Sequence, residues 1–536
     1  MASPPPVLIV GAGPVGMVVA AELLQRDVPV RIIDADRSHS NHSRATSIWP
    51  RILELLDRID VTDELMCLGH RIDQVRYYSA GRHLGAARLD RIRDTAYPFG
   101  IALPQSITED VLERRVTDLG GKVERGVRLT GLTQDGDRVH ALAETADGGG
   151  AEIEASWLVG ADGAHSTARR LLDVGFTGPE LSLDFAIGDA RIDGGLPEHM
   201  AGYCWSPAGA MALAALGDQV FRIAVRVAEQ QRQSDYSARY FEEVLRARGP
   251  RGRFRVDGVR FSTTFNATIR TAQRYRVGRA FLVGDAAHVM SPAGGQGMNT
   301  GIQDAVNLAW KLAGAVDGSL PEALLDSYHD ERSRSVQVVA AGTARQAALG
   351  GLTRRRDVIR RDLGVRLGAW SRRLAHEVAP TLGQLSVSYA QPDRRTGGKA
   401  APEPRRNAVR LVPGDRLPAV IGRHRVGWPA LPADRFTVLL WQPGQMAAEH
   451  RAAIEAARPA GTELLAVDSA SAPALTAALG SRAVVLLVRP DGHLAALLEP
   501  TRAALELPAA HARATHGPPA PAPSPHRTDQ QERQGE

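Results

Sequence analysis

The chain has 536 residues, 43% apolar and 23% charged, a globular composition too long for one ordinary domain. The 65 basic against 60 acidic residues leave a formal charge of +5, a small and scattered surplus that gives no reason to expect a nucleic-acid partner. Two cysteines, Cys67 and Cys204, exclude a disulfide framework, a CxxC redox pair and a structural zinc site. After Met1–Pro6 a strand pattern begins at once and no apolar run reaches membrane length, so no targeting segment is expected. A soluble cytoplasmic protein without a membrane partner is expected.

Val7–Val10 is a short apolar run ending in Gly11-Ala12-Gly13-Pro14-Val15-Gly16. An amphipathic stretch to about Gln25 follows, then a second apolar run from Val28 to Ile33 that stops at Asp34. The order strand, glycine turn, helix, strand predicts a βαβ unit. Trp157–Gly160 is another apolar run, feeding Ala161-Asp162-Gly163-Ala164-His165-Ser166-Thr167-Ala168-Arg169. From about Leu181 to Val227, the runs Met200–Trp205, Ala210–Leu216 and Val220–Val227 are separated by Gly, Pro and Asp, which predicts an antiparallel sheet. Ala280–Val283 feeds Gly284-Asp285-Ala286-Ala287-His288, with Pro292 and Gly294-Gly295-Gln296-Gly297-Met298-Asn299 beyond it. Ile302, Ala305, Val306, Ala309, Leu312, Ala313 and Val316 then share one helix face. A Pro-, Gly- and Arg-rich linker is expected at 391–407. A last α/β pattern follows: Phe436–Trp441, a helix around Met446–Ala457, Glu463–Val467 and Val484–Val488. The Pro/Ala/Gln-rich tail from 509 is expected to be disordered.

Each glycine motif has a chemical reading. Gly11, Gly13 and Gly16 permit a tight turn, close approach of backbone to a pyrophosphate, and close helix–strand packing. Asp34 is placed to accept hydrogen bonds from a ribose diol. Asp285 can hold a hydroxylated chain, and the glycine loop before the second helix offers N–H groups and a positive dipole end to an anion. His165 beside Ser166 does not make a nucleophile pair, because no acid is placed to orient the histidine. His288 reads as a packed histidine, with proton transfer as the alternative.

Together, GxGxxG, DGxxSxxR and GDAAHxxxPxxGQGMN resemble the three markers of single-component (class A) FAD-dependent aromatic hydroxylases, the p-hydroxybenzoate hydroxylase-like family. The resemblance covers about residues 7–400. It implies an α/β fold with a Rossmann-like, glutathione reductase-type FAD domain built from 1–175 and 276–390, and an antiparallel-sheet substrate domain inserted at 176–275. By the same resemblance Gly11, Gly13, Pro14, Val15 and Gly16 meet the pyrophosphate, Asp34 the ribose, and Arg44 lies near the pyrophosphate. Gln105 matches a flavin-binding glutamine, and Asp162 helps close the nucleotide site. Asp285 binds the ribityl chain or pyrophosphate. Pro292 and Gly295, Gln296, Gly297, Met298 and Asn299 are assigned to the cofactor, the last three facing the isoalloxazine. Pro413–Pro418, Phe436–Trp441 and Val488–His493 resemble the thioredoxin-like third domain of aromatic polyketide hydroxylases, here over 408–508. That region has no cysteine, so its implied role is structural or in dimer contacts.

The family implies that NADPH or NADH reduces FAD, and that O2 adds to give a flavin C4a-hydroperoxide attacked by an electron-rich phenol. No protein base is identified. If Pro207 marks the turn as in the family, Tyr203, Ala212, Ala214 and Leu216 share the face toward the flavin, and they are assigned to the substrate together with Pro292. Small apolar residues and no arginine on that face predict a wide pocket for a polycyclic aromatic polyketide. A Baeyer–Villiger or ring-rearranging oxygenase, an antibiotic-inactivating monooxygenase and a flavoprotein that binds a polyketide without redox turnover stand as alternatives. A monomer or homodimer is expected.

Overall fold

The computed structural model describes residues 5–38, 46–178, 183–229, 232–291, 294–390, 411–418 and 430–516. The expected linker at 391–407 lies outside them.

One six-stranded sheet runs, edge to edge, through Arg276–Val277, Ala280–Leu282, Trp157–Gly160, Val7–Val10, Val30–Asp34 and Val123–Arg125. The last five strands are parallel, and Arg276–Val277 pairs antiparallel at the edge. Val7–Val10 and Trp157–Gly160 are buried along their whole length, which is why they read as unbroken apolar runs rather than alternating ones. In register, Val10 lies between Ile33 and Gly160, and Gly160 lies beside Leu282. Four segments far apart in the chain therefore leave the sheet at one edge. They are the turn after Val10, the carboxylate of Asp34, the turn after Gly160 and the turn at Gly284. Ligands of open parallel sheets bind beyond the carboxyl ends of the strands, where these four meet.

A seven-stranded sheet follows the order Arg255–Ala267, Leu183–Asp193, Val220–Val227, Gly209–Gly217, Met200–Ser206, Gln74–Ser79, Arg82–Arg88. The last two strands come from outside the expected insert at 176–275, so the substrate sheet is not a simple insertion. Gln74–Ser79 pairs in parallel with Met200–Ser206 and covers an edge the insert alone would leave open. The sheet's two faces separate cleanly. Cys204, Met211, Leu213, Phe221, Ile223 and Val225 pack with Phe241 of the helix Ala238–Arg248. Tyr77, Ala201, Tyr203, Trp205, Ala210 and Leu216 lie on the other face, under Val365, Ala369, Leu374 and Leu382.

The C-terminal sheet has the order Glu463–Val467, Thr437–Trp441, Val484–Val488, Leu494–Leu498. Its first pair is parallel and the other pairs are antiparallel, the thioredoxin-like arrangement. The helix Pro500–His516 runs past position 509, where the sequence pattern placed the start of a disordered tail. Ala503, Leu507 and Ala510 recur on one face and are buried, while Pro508 stands on the exposed side. The hydrogen bond that proline removes is thus lost where water replaces it.

Candidate active site

The first turn is sterically committed to glycine at two of its three positions. Gly11 has φ +105°, and a Cβ there would stand 2.5 Å from the carbonyl oxygen of Ala161. A Cβ on Gly16 would stand 2.0 Å from the carbonyl oxygen of Gly11. Gly13 differs, since a Cβ there would meet no protein atom within 4 Å. Its backbone faces open space, the approach a phosphate needs. The helix Pro14–Leu24 begins there with no side-chain cap and no acid in its first turn, so its leading N–H groups are left for a ligand. Val15 turns inward instead. Its methyls pack where Gly284 and Gly301 lack side chains, and a Cβ on Gly301 would be 2.7 Å away.

Asp34 holds this turn from the next strand. Its Oδ2 accepts the Ala12 N–H at 2.6 Å and its Oδ1 the Asp36 N–H at 2.8 Å, leaving further lone pairs on both oxygens. Asp162 is used locally: Oδ2 accepts the N–H groups of Thr167 (2.7 Å) and Ala168 (3.0 Å), and Oδ1 accepts the Ser166 hydroxyl. Its carboxylate therefore caps the short helix Thr167–Leu171, and Ser166 is buried there while His165 is exposed. Arg169 joins the second motif to the third by donating to the carbonyls of Ala286 and Ala164, both at 2.8 Å. Asp285 is exposed at the same edge, with its Oδ1 close to Gly297. Gln105 opens the helix Gln105–Asp118 and donates to Glu109 at 2.8 Å. Arg44 and Pro292 lie outside the described residues.

The loop before the helix Gly297–Asp317 is gripped from behind. Asn299 is fully buried. Its Oδ1 accepts the Trp49 N–H at 2.8 Å, and its Nδ2 donates to the carbonyls of Ser47 (2.8 Å) and Gly295 (2.7 Å). The Trp49 indole donates to the Gly294 carbonyl at 2.9 Å. Gln296 is buried too, donating to the carbonyls of Gly294 and Leu382 and accepting from Gln384. The side chains of Asn299 and Gln296 thus shape the loop. Gly294, Gly295, Gly297 and Met298 are the residues of it left partly accessible. Gly294 and Gly295 have φ +89° and +59°, backbone that glycine adopts without cost. The helix starts with no side-chain cap and no acid in its first turn, as the first helix does.

Beneath the Gly284 turn lies a buried charge cluster of which the three motifs mark only His288. Asp304 Oδ2 accepts the Gly284 N–H at 3.0 Å and meets His288 Nε2 at 2.6 Å. Its Oδ1 accepts from Arg332 Nε at 2.7 Å, and Arg332 also reaches the Thr300 carbonyl and the Tyr389 hydroxyl. Burial alone would raise the Asp304 carboxyl, but His288 and Arg332 more than offset it and hold the group ionised below its ordinary range. His288 is accordingly a packed, acid-paired histidine. The available signal was a single carboxylate inside the apolar periodicity of Ile302, Ala305 and Val306.

Across from the loop stands the substrate-sheet face. Tyr203 pairs with Ala212 and Ala201 with Ala214, so Tyr203, Ala212 and Ala214 share one face, with Leu216 in the same cluster. The Tyr203 hydroxyl reaches the glycine loop, 3.1 Å from where a Gly294 Cβ would be. Tyr77 stacks on Tyr203 at 5.9 Å and meets Trp205 at 5.6 Å with the rings tilted, forming an aromatic wall. Burial pushes both phenols well above their usual range, so they stay neutral donors. The expectation of no arginine on this face is corrected. Ala214 pairs with Arg222, which is 6% exposed and holds Asp189 through two hydrogen bonds of 2.7 and 2.8 Å. The runs Met200–Trp205 and Ala210–Leu216 carry no arginine, and Arg222 reaches the face from the neighbouring strand Val220–Val227. Among the described residues no group of three or more His, Cys, Asp or Glu could hold a metal ion.

A family model described as an FAD binding domain matches residues 5–343. The chain belongs to that FAD binding domain family. It is 33% identical over 514 residues to the 6-methylpretetramide 4-monooxygenase of Streptomyces rimosus, covering 92% of this chain and 90% of that protein. The solved anhydrotetracycline hydroxylase OxyS from Streptomyces rimosus matches with TM-score 0.70 and 28% identity, over 96% of this chain and 99% of that one. A dialkyldecalin synthase of Streptomyces rugosporus is 32% identical over 345 residues, 64% of this chain and 72% of that protein. The cofactor is FAD, and the chemistry of the family is flavin-dependent monooxygenation with NAD(P)H and O2. The residues fit that cofactor: two helices start uncapped at one sheet edge, and the open side of Gly13 admits a diphosphate.

Proposed function

We propose that this FAD-dependent chain hydroxylates a polycyclic aromatic phenol of polyketide type, taking electrons from NADPH or NADH and one oxygen atom from O2. The observation that carries the substrate class is the aromatic and small-residue face of Tyr77, Tyr203, Trp205, Ala212 and Ala214, which reaches the Gly294–Asn299 loop at Tyr203. Alanines at the centre leave room for fused rings, and Tyr203, backed by Tyr77 and Trp205, offers them an aromatic contact. Bound FAD supplies oxygen activation and transfer. Gly11, Gly13, Pro14, Val15 and Gly16 would hold the diphosphate with Arg44, and Asp34 the ribose. Asp162 would act by fixing the turn beside Gly11, and Asp285 would hold the ribityl chain. Gln105, Pro292 and the backbone from Gly295 to Asn299 would border the ring. Tyr203, Ala212, Ala214, Leu216 and Pro292 would border the substrate, with Arg222–Asp189 as a charge-balanced polar end. The apolar roof keeps water from the reacting atoms. A cytoplasmic monomer or homodimer is part of the same proposal.

The test is a yellow purified protein mixed with NADPH under air and labelled O2. Anthraquinone- or angucycline-type phenols should speed flavin bleaching and gain one labelled oxygen on the ring carbon, while p-hydroxybenzoate should not. Turnover of p-hydroxybenzoate with the polycyclic phenols ignored would overturn the assignment. Oxygen inserted into the ring would point to Baeyer–Villiger chemistry instead. One relative is named a synthase rather than a monooxygenase, which leaves one further reading, binding of a polyketide without redox turnover. A flavin that fails to bleach with every ligand tested would favour it.

A further inference from the structure

The helix Arg355–Trp370 lies over the substrate sheet and has two unlike faces. Its inner side is anchored: Arg361 sits 4.4 Å over the Trp205 ring and donates to the Ser79 hydroxyl, and Val365 and Ala369 join the cluster beneath. Its outer side carries Ile359, Leu363, Leu367 and Trp370, which are 55%, 54%, 53% and 85% exposed. At 100° per residue these four fall within an arc of about 80° along about 16 Å of helix. Arg355 and Arg366 flank the arc on one side and Arg360 on the other. None of the three has a carboxylate within ion-pair distance among the described residues. From 354 to 377 the chain has eight arginines against three acids. Asp362 and Glu377 are already engaged by Arg361 and Arg373, at 2.8 and 3.2 Å.

We propose that this outward face docks the protein on an anionic lipid surface, with Ile359, Leu363, Leu367 and Trp370 entering the headgroup boundary and the flanking arginines meeting phosphates. The occupant follows from charge and shape. Side chains more than half exposed form a ridge, which enters a soft interface rather than receiving a partner's side chains as a groove would. Pairing the face with itself about a twofold axis sets one arginine-bearing flank against another in either helix direction, so like charges oppose each other. The chain's remaining segments do not match either. Residues 391–410 are themselves basic, 419–429 carry Arg423 and Arg425, and 517–536 contain no large apolar residue. A basic helix whose outward stripe holds exposed leucines and a tryptophan between flanking arginines is suited to seat on an anionic bilayer. No helix among the described residues is long and apolar enough to cross a membrane, and an interfacial helix needs none. The sequence expectation of no membrane partner rested on spanning segments alone.

The test uses the full FAD-loaded chain and phosphatidylcholine vesicles with and without phosphatidylglycerol. Co-sedimentation is expected only with the anionic vesicles at low salt, with release at high salt. Leu363→Asp/Leu367→Asp should abolish it. Arg355→Gln/Arg360→Gln/Arg366→Gln should weaken it roughly a hundredfold, from about fivefold per arginine. Flavin content and melting temperature should be unchanged in both. No binding to anionic vesicles by the wild type, or wild-type binding by both variants, overturns the proposal. A dimer that dissolves on Leu363→Asp/Leu367→Asp would give the face to a second copy. Binding to polyglutamate without vesicle binding would give it to an acidic protein. Either result also overturns the lipid assignment.

Discussion

Gly13 and Gly16 stand three residues apart in one turn, and their surroundings separate what each does. A methyl on Gly16 would meet the Gly11 carbonyl at 2.0 Å, a backbone contact that cannot yield without opening the turn. A methyl on Gly13 would meet no protein atom within 4 Å. Gly16→Ala should therefore destabilise the protein without cofactor by about 1–3 kcal/mol and leave it colourless. Gly13→Ala should leave its urea midpoint nearly unchanged while weakening FAD by about tenfold or more, read by flavin fluorescence titration. Equal loss of stability in the two variants would show that Gly13 serves packing rather than phosphate approach. Both glycines were visible in the sequence as a motif, but not the division between them, because the motif gives spacing and not neighbours. Asn299 and Gln296 show the same limit. Their motif marks a flavin loop, yet their polar atoms close on Ser47, Trp49, Gly295, Leu382 and Gln384, most of them distant in the chain.

The helix Gly297–Asp317 shows where pattern reading succeeds and where it fails for an element. Its apolar stripe was legible from Ile302, Ala305, Val306 and Ala309, and an amphipathic helix turns its other side to water. Here Asn299, Gln303, Asn307 and Lys311, at four-residue spacing, are 0–3% exposed, and Asp304 is fully buried. Asn299 meets Ser47 and Trp49, Gln303 meets Gln384, and Asn307 and Lys311 meet Glu331 of the helix Ser327–Gly350, and no local periodicity reports such a cover. Glu331 accepts from Lys311 and Asn307, and Trp310 donates to Asp491 at 3.3 Å. Burial draws the Lys311 ammonium down to about 8, with Glu331 opposing the shift. The functional consequence lies at Asp304, which ties this helix to the Gly284 turn. Asp304→Asn keeps the shape but removes the charge that answers Arg332, leaving a buried cation without its counter-ion. A loss of about 3–5 kcal/mol in urea unfolding is expected, together with weaker flavin retention as the turn loosens. A variant within about 1 kcal/mol of wild type would mean that Tyr389 and the Thr300 carbonyl suffice for Arg332.

Across the whole molecule, the thioredoxin-like body is fastened to the FAD domain through buried charge rather than through an apolar seam alone. Arg489 holds Glu331 at 2.6 and 2.9 Å and Asp491 at 2.6 Å, and Arg416 reaches Glu54 at 3.0 Å and Asp94 at 2.8 Å. The sequence marked the segment Val488–His493 by family likeness, while its use as a plug between domains appears only in three dimensions. His493 is the titratable weak point of that plug. It stacks on Tyr389 at 4.1 Å between ring centroids and is 2% exposed. Its ring lies 3.4 Å from Asp491 Oδ1 without the alignment of a hydrogen bond. Burial pulls its pKa down to about 4, and the nearby Asp491 only partly opposes this. The unfolded chain binds this proton near pH 6.5 and the folded chain only near 4, so the stability it contributes is complete above about 6.5 and is lost as pH falls toward 4. His493→Phe keeps the ring on Tyr389 and removes the titration. Urea unfolding at pH 7, 6 and 5 should therefore decline more steeply for the wild type, by up to about 1.4 kcal/mol per pH unit. Parallel slopes for the two proteins would show that His493 takes up its proton in the folded molecule as readily as in water.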